Sequence, residues 1–307
     1  IIELLKLSKE KEAYELLSET NIMPSICGRI CPYMKQCQSN CTRKYKETPI
    51  ETGEIEASLG DLAYKNGWMF ENISDELSGK KVAVVGSGPA GLTCAVFLKR
   101  YGAEVTIYEK REKLGGLLRY GIPDFRLEKN IVENIISKIE KMGAIIKTNV
   151  ELGKDITIKE LQKEFDAIFI AIGATNSMTY SLSDEKLDTI YKSDTFLKAY
   201  NEKNFIDNLG KVVVIGGGNV AMDAARAAVK MGAESVKILY RRDDEHMPAR
   251  KIELKEAIED GVEFVPLTRV IDANVENGNI TSVNCIKTEI VDGKAVDLEG
   301  TEFIVQA

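Results

Sequence analysis

The stretch Lys81-Val-Ala-Val-Val-Gly86-Ser-Gly88-Pro-Ala-Gly91-Leu-Thr-Cys-Ala95 decides how the chain is read. Val82 to Val85 form a short apolar run, the pattern of a buried strand. Gly86-x-Gly88-x-x-Gly91 follows without a break, and Leu92, Ala95 and Val96 then recur at helical spacing. In a strand–turn–helix of this kind the first glycine permits the tight turn. The second lets a pyrophosphate approach the backbone, and the third lets helix and strand pack closely. The free N–H groups at the helix start add partial positive charge for phosphates. A second strand, Glu104 to Tyr108, ends in Glu109, 23 residues after Gly86, where a carboxylate accepts hydrogen bonds from ribose hydroxyls. Three glycines alone also describe a turn that binds nothing. Strand, glycines, helix, strand and terminal acid in this order point to a dinucleotide.

A second unit of the same design is Lys211-Val-Val-Val-Ile-Gly216-Gly217-Gly218-Asn219-Val220-Ala221. Its pattern is G-x-G-x-x-A, and alanine in the last place still permits close packing. The strand after it, Ser235 to Tyr240, ends not in an acid but in Arg241-Arg242, 25 residues after Gly216. An acid there repels a 2′-phosphate, whereas arginine binds it bidentately. The alternative is a solvated arginine pair; the position favours NADPH over NADH. The chain's one histidine, His246, comes next in His246-Met-Pro-Ala and is given no role.

Between the two units runs Lys113-Leu-Gly115-Gly116-Leu-Leu-Arg119-Tyr-Gly121-Ile-Pro123-Asp-Phe-Arg126-Leu. It is expected to be too irregular for a helix and to lie flat against a large planar ligand; the alternative is an ordinary surface loop. A helix over 128–142 and a strand over 144–148 are expected next. Residues 166–175 read as a buried strand ending in a small-residue turn. Residues 262–306 read as short strands with turns at Asn277-Gly278 and Asp292-Gly293.

The chain has 307 residues, 44% of them apolar, and an evenly spread net charge of −7. That length suggests two or three domains, and the charge gives no basis for nucleic acid or an anionic membrane as partner. No apolar run reaches the length of a membrane-spanning helix, and the first residues lack the regions of a signal peptide. The missing initiator Met leads us to expect a piece of a longer gene product. Four of the six cysteines fall between residues 27 and 41. Without a secretory signal, this crowding favours metal or redox use in a reducing cytoplasm over disulfides.

Residues 1–20 read as two short helices, with Ser8 expected to cap the second. The cysteines come next in Cys27-Gly-Arg-Ile-Cys31-Pro-Tyr-Met-Lys-Gln-Cys37-Gln-Ser-Asn-Cys41, a C-x3-C-x5-C-x3-C spacing. Thiolates this close suit a soft metal or an iron–sulfur cluster. Zinc is the rival, but structural zinc more often shows paired C-x2-4-C and histidine. Cys27, Cys94 and Cys285 are expected to pack as small hydrophobes. A helix over 54–66 places Ile55, Leu59, Leu62 and Ala63 on one face, and Trp68 and Phe70 lie in a link to the next domain.

Two nucleotide units behind a cysteine-rich helical segment form a specific combination. The chain resembles the small (beta) subunit of NADPH-dependent glutamate synthase and its relatives. These include the NADPH-binding subunit of the bifurcating ferredoxin:NADP transhydrogenase and the N-terminal half of dihydropyrimidine dehydrogenase. The resemblance covers nearly the whole chain. It rests on Cys27-Gly-Arg-Ile-Cys31-Pro, Val85-Gly-Ser-Gly-Pro-Ala-Gly91, Leu114-Gly-Gly-Leu, Gly121-Ile-Pro-x-Phe-Arg-Leu127, Gly216-Gly-Gly-Asn-Val-Ala-Met-Asp223, Tyr240-Arg-Arg242 and Met247-Pro-Ala249.

The resemblance implies an α/β protein with two Rossmann-like domains after a small α-helical iron–sulfur domain. The boundaries are 1–72 for the iron–sulfur domain, 73–198 for the FAD-binding domain and 199–307 for the NADPH-binding domain. It implies that Gly86, Ser87, Gly88, Pro89 and Ala90 wrap the FAD pyrophosphate and that Glu109 meets the adenosine ribose. Lys110, Gly115, Gly116, Leu117 and Arg126 line the rest of the flavin, with Leu152 near the adenine. Gly217, Gly218, Asn219 and Val220 meet the NADPH pyrophosphate, and Arg241 and Arg242 its 2′-phosphate. Cys31, Cys37 and Cys41 match the second of two cysteine groups that share two 4Fe-4S clusters, and Glu56 falls on or near one cluster. The family's first cysteine group is absent here, as is the Gly-Asp segment that closes its FAD domain. Neither cluster is therefore expected to take a full ligand set from this chain.

The activity implied is reduction of FAD by hydride transfer from NADPH, with electrons passing through 4Fe-4S clusters to a partner, a glutamate synthase large subunit or a ferredoxin-type protein. No catalytic acid or base is expected, because the cofactors carry the chemistry. A flavin disulfide reductase would need a cysteine pair after the first unit, where Cys94 stands alone. A bifurcating transhydrogenase subunit, and a scaffold that has lost its cofactors, are the other readings.

Overall fold

The computed structural model describes residues 1–174, 182, 187 and 189–307. The chain divides into two compact units, 1–175 and 176–307.

The first unit opens with α1 (Ile2–Lys6), α2 (Glu10–Ser18), α3 (Pro24–Ile30) and α4 (Thr52–Lys65). The helical periodicity expected around 54–66 appears in α4, which buries Ala57, Leu59 and Ala63. Helices α3 and α4 meet through glycines: a Cβ on Gly28 would lie 2.2 Å from the Gly53 carbonyl oxygen. Ser8 does not cap α2, whose N-cap is Lys9 with no side-chain cap bond. Ser8 sits instead at φ +55 and donates its N–H to Leu5 O at 3.1 Å, so it turns the chain out of α1.

The nucleotide part alternates strand and helix: β1 (Lys81–Val85), α5 (Pro89–Arg100), β2 (Glu104–Glu109), α6 (Leu117–Tyr120), α7 (Lys129–Lys141), β3 (Ile145–Thr148), α8 (Ile158–Glu164) and β4 (Ala167–Ile170). The four strands form a parallel sheet in the order β3-β2-β1-β4. Val84 and Ile107 of the sheet share one core with Leu92, Ala95 and Val96 of α5 and with Val132, Ile135 and Ile139 of α7. The opposite face packs Ala83, Val85 and Tyr108 on Leu161 of α8, a helix closed at its start by a Thr157–Glu160 capping box. Helices on both faces of a parallel sheet make the doubly wound arrangement that alternating elements predict.

Two expectations are corrected in this unit. The segment 113–127 does contain a helix, the single turn α6, because Gly116 at φ +52 starts it and the buried Leu118 anchors it in the core. Strand β4 is not buried: Phe169 and Ile170 are exposed, because β4 is the outer strand of the sheet. The end of the expected strand, Thr175, lies outside the described residues.

The second unit contains α9 (Ser193–Asn201), β5 (Lys211–Ile215), α10 (Asn219–Lys230), β6 (Ser235–Leu239), α11 (Lys251–Glu259) and β7 (Glu263–Val265). Its parallel sheet runs β5-β6-β7. An antiparallel sheet of β8 (Thr268–Glu276), β9 (Asn279–Val291), β10 (Lys294–Asp297) and β11 (Phe303–Gln306) comes after it. The turns at Asn277-Gly278 and Asp292-Gly293 have φ of +52, +79, +50 and +73, the backbone that a two-residue hairpin turn demands. Strands β8 and β9, with 9 and 13 residues, are longer than the short strands expected. They pair along almost their whole length, and Val270, Val283, Cys285 and Val305 form the core beneath them.

Candidate functional site

At the first glycine turn the structure separates folding from binding. Gly86 adopts φ +102, and a Cβ there would lie 2.3 Å from Ala171 O. A Cβ on Gly91 would lie 1.9 Å from Gly86 O, so helix and strand close on each other only without a side chain. Gly88 differs: a Cβ there would meet nothing within 4 Å. The chain's own packing does not require glycine at 88, whereas close approach of a phosphate does. Gly115 and Gly116 come down directly on this turn. A Cβ on Gly116 would sit 2.7 Å from the Gly88 Cα, and Gly115 N–H donates to Ser87 O at 3.1 Å. The structure thus brings 86–90 and 115–117 into one cradle, with Pro89, Ala90 and Leu117 exposed along it.

Glu109 is buried at the end of β2. Its Oε2 accepts the Ser87 N–H at 3.0 Å and the Ser87 hydroxyl, and its Oε1 accepts the Arg111 N–H at 3.0 Å. The Ser87 hydroxyl in turn accepts Gly115 N–H at 3.2 Å. A carboxylate offers about four acceptor positions, so one remains for a ribose hydroxyl. Sequence reasoning assigned Glu109 to the ribose; what the structure shows is that it ties both glycine segments together through Ser87. Lys110 is exposed next to it, and Arg126 is half-buried beyond Pro123. Leu152 packs with Tyr108 and Val85 on the α8 face.

The second turn is built differently. Gly216 adopts φ +135, and a Cβ there would approach no atom closer than the Ala221 Cβ at 3.7 Å. At 221 the chain carries alanine where the first turn carries Gly91. Gly218, like Gly88, faces open space, while a Cβ on Gly217 would strike the Tyr240 ring at 2.6 Å. Asn219 begins α10, and its Oδ1 accepts the Arg250 N–H at 3.1 Å; Val220 is exposed. Ala249 N–H donates to Gly217 O at 3.0 Å. The segment 241–250 is thereby strapped to the glycine turn, a role that the motif Met247-Pro-Ala249 signals without revealing its contacts. Arg241 is exposed and Arg242 half-exposed at the head of this strap. Thr288 Oγ1 donates to Arg241 O at 2.8 Å and Leu267 N–H to Arg242 O at 3.1 Å.

The cysteines split into two neighbourhoods. Cys27 and Cys31 lie one turn apart at the end of α3, and Glu56 of α4 acts on Cys27. Burial, followed by the Glu56 carboxylate and Cys31, pushes the Cys27 thiol up. Burial also raises Glu56, whose Oε2 accepts Asn21 Nδ2–H at 3.3 Å. Cys41 behaves in the opposite way: backbone N–H groups, led by Ile50 at 3.5 Å, hold its thiol below the usual range. Cys37 is exposed. Among the described residues, no three His, Cys, Asp or Glu side chains converge to hold a metal. Thiolates are the right donors for an iron–sulfur cluster, but these residues by themselves do not close a site.

The comparisons with known proteins come to the same parts of the chain. A family profile described as pyridine nucleotide-disulphide oxidoreductase matches residues 80–300, and one described as dihydropyrimidine dehydrogenase domain II, 4Fe-4S cluster, matches residues 1–68. The small chain of glutamate synthase [NADPH] from Escherichia coli is 36% identical over 99% of this chain and 69% of its own length. A putative oxidoreductase, AegA, from the same organism is 35% identical over 100% of this chain, which spans only 49% of that relative. The FprA structure from Mycobacterium tuberculosis has a TM-score of 0.63 at 20% identity, covering 74% of this chain and 69% of FprA, a likeness of fold. The chain belongs to the glutamate synthase small-chain family of pyridine-nucleotide oxidoreductases.

Proposed function

We propose that the chain is the pyridine-nucleotide-oxidising part of an NADPH-dependent flavin and iron–sulfur oxidoreductase of the glutamate synthase small-subunit type. NADPH reduces FAD, and the electrons leave through 4Fe-4S clusters to a partner subunit. The observation that carries this reading is the pair of unlike dinucleotide turns. Each has a middle glycine, Gly88 or Gly218, with nothing of the chain within 4 Å of its Cβ position. One is followed by an acid and the other by two arginines, so the turns suit different dinucleotides.

A flavin accepts an electron pair as hydride and can release electrons singly, which is the chemistry a bound FAD would supply here. The chain's residues hold and select. Gly88, with Gly115 and Gly116 across from it, offers backbone to a pyrophosphate. The Ser87–Glu109 bond fixes a carboxylate for the ribose at that turn. Arg241 and Arg242 supply charge for a 2′-phosphate, and the strap from Tyr240 to Arg250 holds their backbone against the second turn.

The test is an anaerobic absorbance titration of the protein with NADPH and with NADH. The expected result is a flavin spectrum bleached by NADPH at much lower concentration than by NADH. Converting Arg241 and Arg242 to Glu should erase that preference. A colourless protein, or a preference untouched by the double substitution, overturns the reading.

A further inference from the structure

His246 has no part in the proposed function, yet the structure fixes it more firmly than an exposed loop residue needs. Its backbone N–H and its ring Nδ1 both bond to Asp243 Oδ1, at 2.9 and 2.7 Å. Its carbonyl accepts the Tyr240 hydroxyl at 3.1 Å. The Tyr240 ring lies against Gly217 of the second glycine turn. Three residues on, Ala249 N–H is bonded to Gly217 O at 3.0 Å. The short segment from Arg241 to His246 is therefore pinned at one end by Leu267 and by Thr288 of β9, and at the other by the glycine turn itself. The imidazole is carried on the same strap as the two arginines.

Asp243 dictates the state of the ring. The His246 bonds hold its carboxyl below the usual range, the backbone N–H first, so it accepts and cannot donate. The ring nitrogen facing it is therefore Nδ1–H, and Nε2 is left to the solvent side, with the side chain 40% exposed. Neutral, Nε2 presents a lone pair and repels phosphate oxygens. Protonated, it presents an N–H and a positive charge, which a phosphate dianion accepts. The other charged groups of the strap are Arg241, Arg242, Asp244 and Glu245. From the elements packed on it, Arg250 and Glu253 of α11 are paired with each other, and Lys287 of β9 bonds Thr268 and lies over the Phe303 ring.

We propose that His246, oriented by Asp243, is a third donor to the 2′-phosphate of NADPH and a pH-dependent determinant of the choice between NADPH and NADH. The inference rests on the reading of the second turn as the NADPH site. His246 is the binding residue and Asp243 a positioning residue. Discrimination between the two dinucleotides strengthens as the imidazole gains its proton and weakens as pH rises.

His246 is the only histidine in the sequence, and its imidazole signal in NMR is the one that His246→Gln removes. The probes are 2′,5′-ADP and 5′-ADP, which differ by the 2′-phosphate alone. Saturating 2′,5′-ADP should raise the midpoint of the imidazole titration, whereas 5′-ADP should leave it in place. His246→Gln keeps a neutral donor; it should bind 2′,5′-ADP about 3- to 10-fold more weakly than wild type at pH 6, with the ratio of the two affinities falling toward one by pH 8. Asp243→Asn, which frees the ring from its fixed orientation, should weaken 2′,5′-ADP binding without changing 5′-ADP binding. If 2′,5′-ADP binds and the imidazole signal does not respond, or if His246→Gln keeps the wild-type pH profile, the inference is overturned and the NADPH reading stands. If 2′,5′-ADP binds no better than 5′-ADP, both are overturned.

Discussion

At the scale of single residues, the motif gives the three glycines of the first turn different roles, and their surroundings in the structure differ as sharply. Gly91→Ala places a methyl 1.9 Å from Gly86 O. Relief requires α5 to move off β1 and should cost about 2–4 kcal/mol of stability, an overpacking penalty at its upper end. Gly88→Ala meets nothing, at a backbone of φ −69, ψ −177 that alanine adopts readily. Its stability should stay within about 1 kcal/mol of wild type, the scale of a changed N-cap, while retention of FAD collapses. Chemical denaturation and flavin content on the two variants check this. A large destabilisation from Gly88→Ala would show that the open space is not a ligand site. The motif assigns Gly86 and Gly91 to the fold and Gly88 to the ligand, but it does not tell how little room each has. That requires knowing where Ala171 and Gly116 lie, and both arrive from far along the chain.

At the scale of elements, the helical segment is tied to the nucleotide sheet by buried cations that have no carboxylate partner among the described residues. Arg100, at the end of α5, donates to Ser18 O at 2.7 Å and Glu71 O at 2.8 Å. It thereby meets the carbonyl end of α2, where positive charge is favoured. Lys138 of α7 donates to the Tyr14 hydroxyl of α2 at 2.8 Å and lies over the Tyr14 and Phe70 rings. Burial lowers Lys138 to about 8 and pushes the Tyr14 hydroxyl up. A lysine lowered by folding binds fewer protons folded than unfolded, so stability rises with pH from about 8 toward the free-lysine value near 10.4. Relative to Lys138→Met, the wild type should gain on the order of 2 kcal/mol between pH 7.5 and 10. Urea midpoints of both proteins across that range are the measurement; parallel curves would sink the idea. None of this junction is legible in the sequence. Lys138 reads as a polar position on an amphipathic helix, and Trp68 and Phe70 read as a link, because the contact joins residues 124 positions apart. By contrast α5, α7 and the two hairpin turns are legible, because periodicity and asparagine–glycine or aspartate–glycine pairs act locally.

At the scale of the whole molecule, a protein that moves electrons from a dinucleotide to clusters must join a two-electron site to one-electron sites. The first unit contains both the glycine cradle and the cysteine segment, and the Arg100 and Lys138 contacts dock one on the other. The cysteines within that segment are not alike, although their spacing presents them as a series. The Cys27 thiol is raised by burial and by Glu56 and packs against the core. Cys41 is lowered by backbone N–H groups, the environment that favours a thiolate ligand. Iron and acid-labile sulfide measured on anaerobically purified protein should therefore divide the set. Cys27→Ser should keep its iron and lose about 1–2 kcal/mol of stability, as a small buried group made more polar. Cys31→Ser, Cys37→Ser and Cys41→Ser should each lose iron. Glu56→Ala should lower iron content or change the spectrum of the remaining cluster, if it holds the place on or near a cluster that the family resemblance gives it. If Cys27→Ser loses iron as fully as Cys41→Ser does, ligand and packing roles have been divided at the wrong residue, and the neighbourhood of Cys27, Cys31 and Glu56 is itself the cluster site.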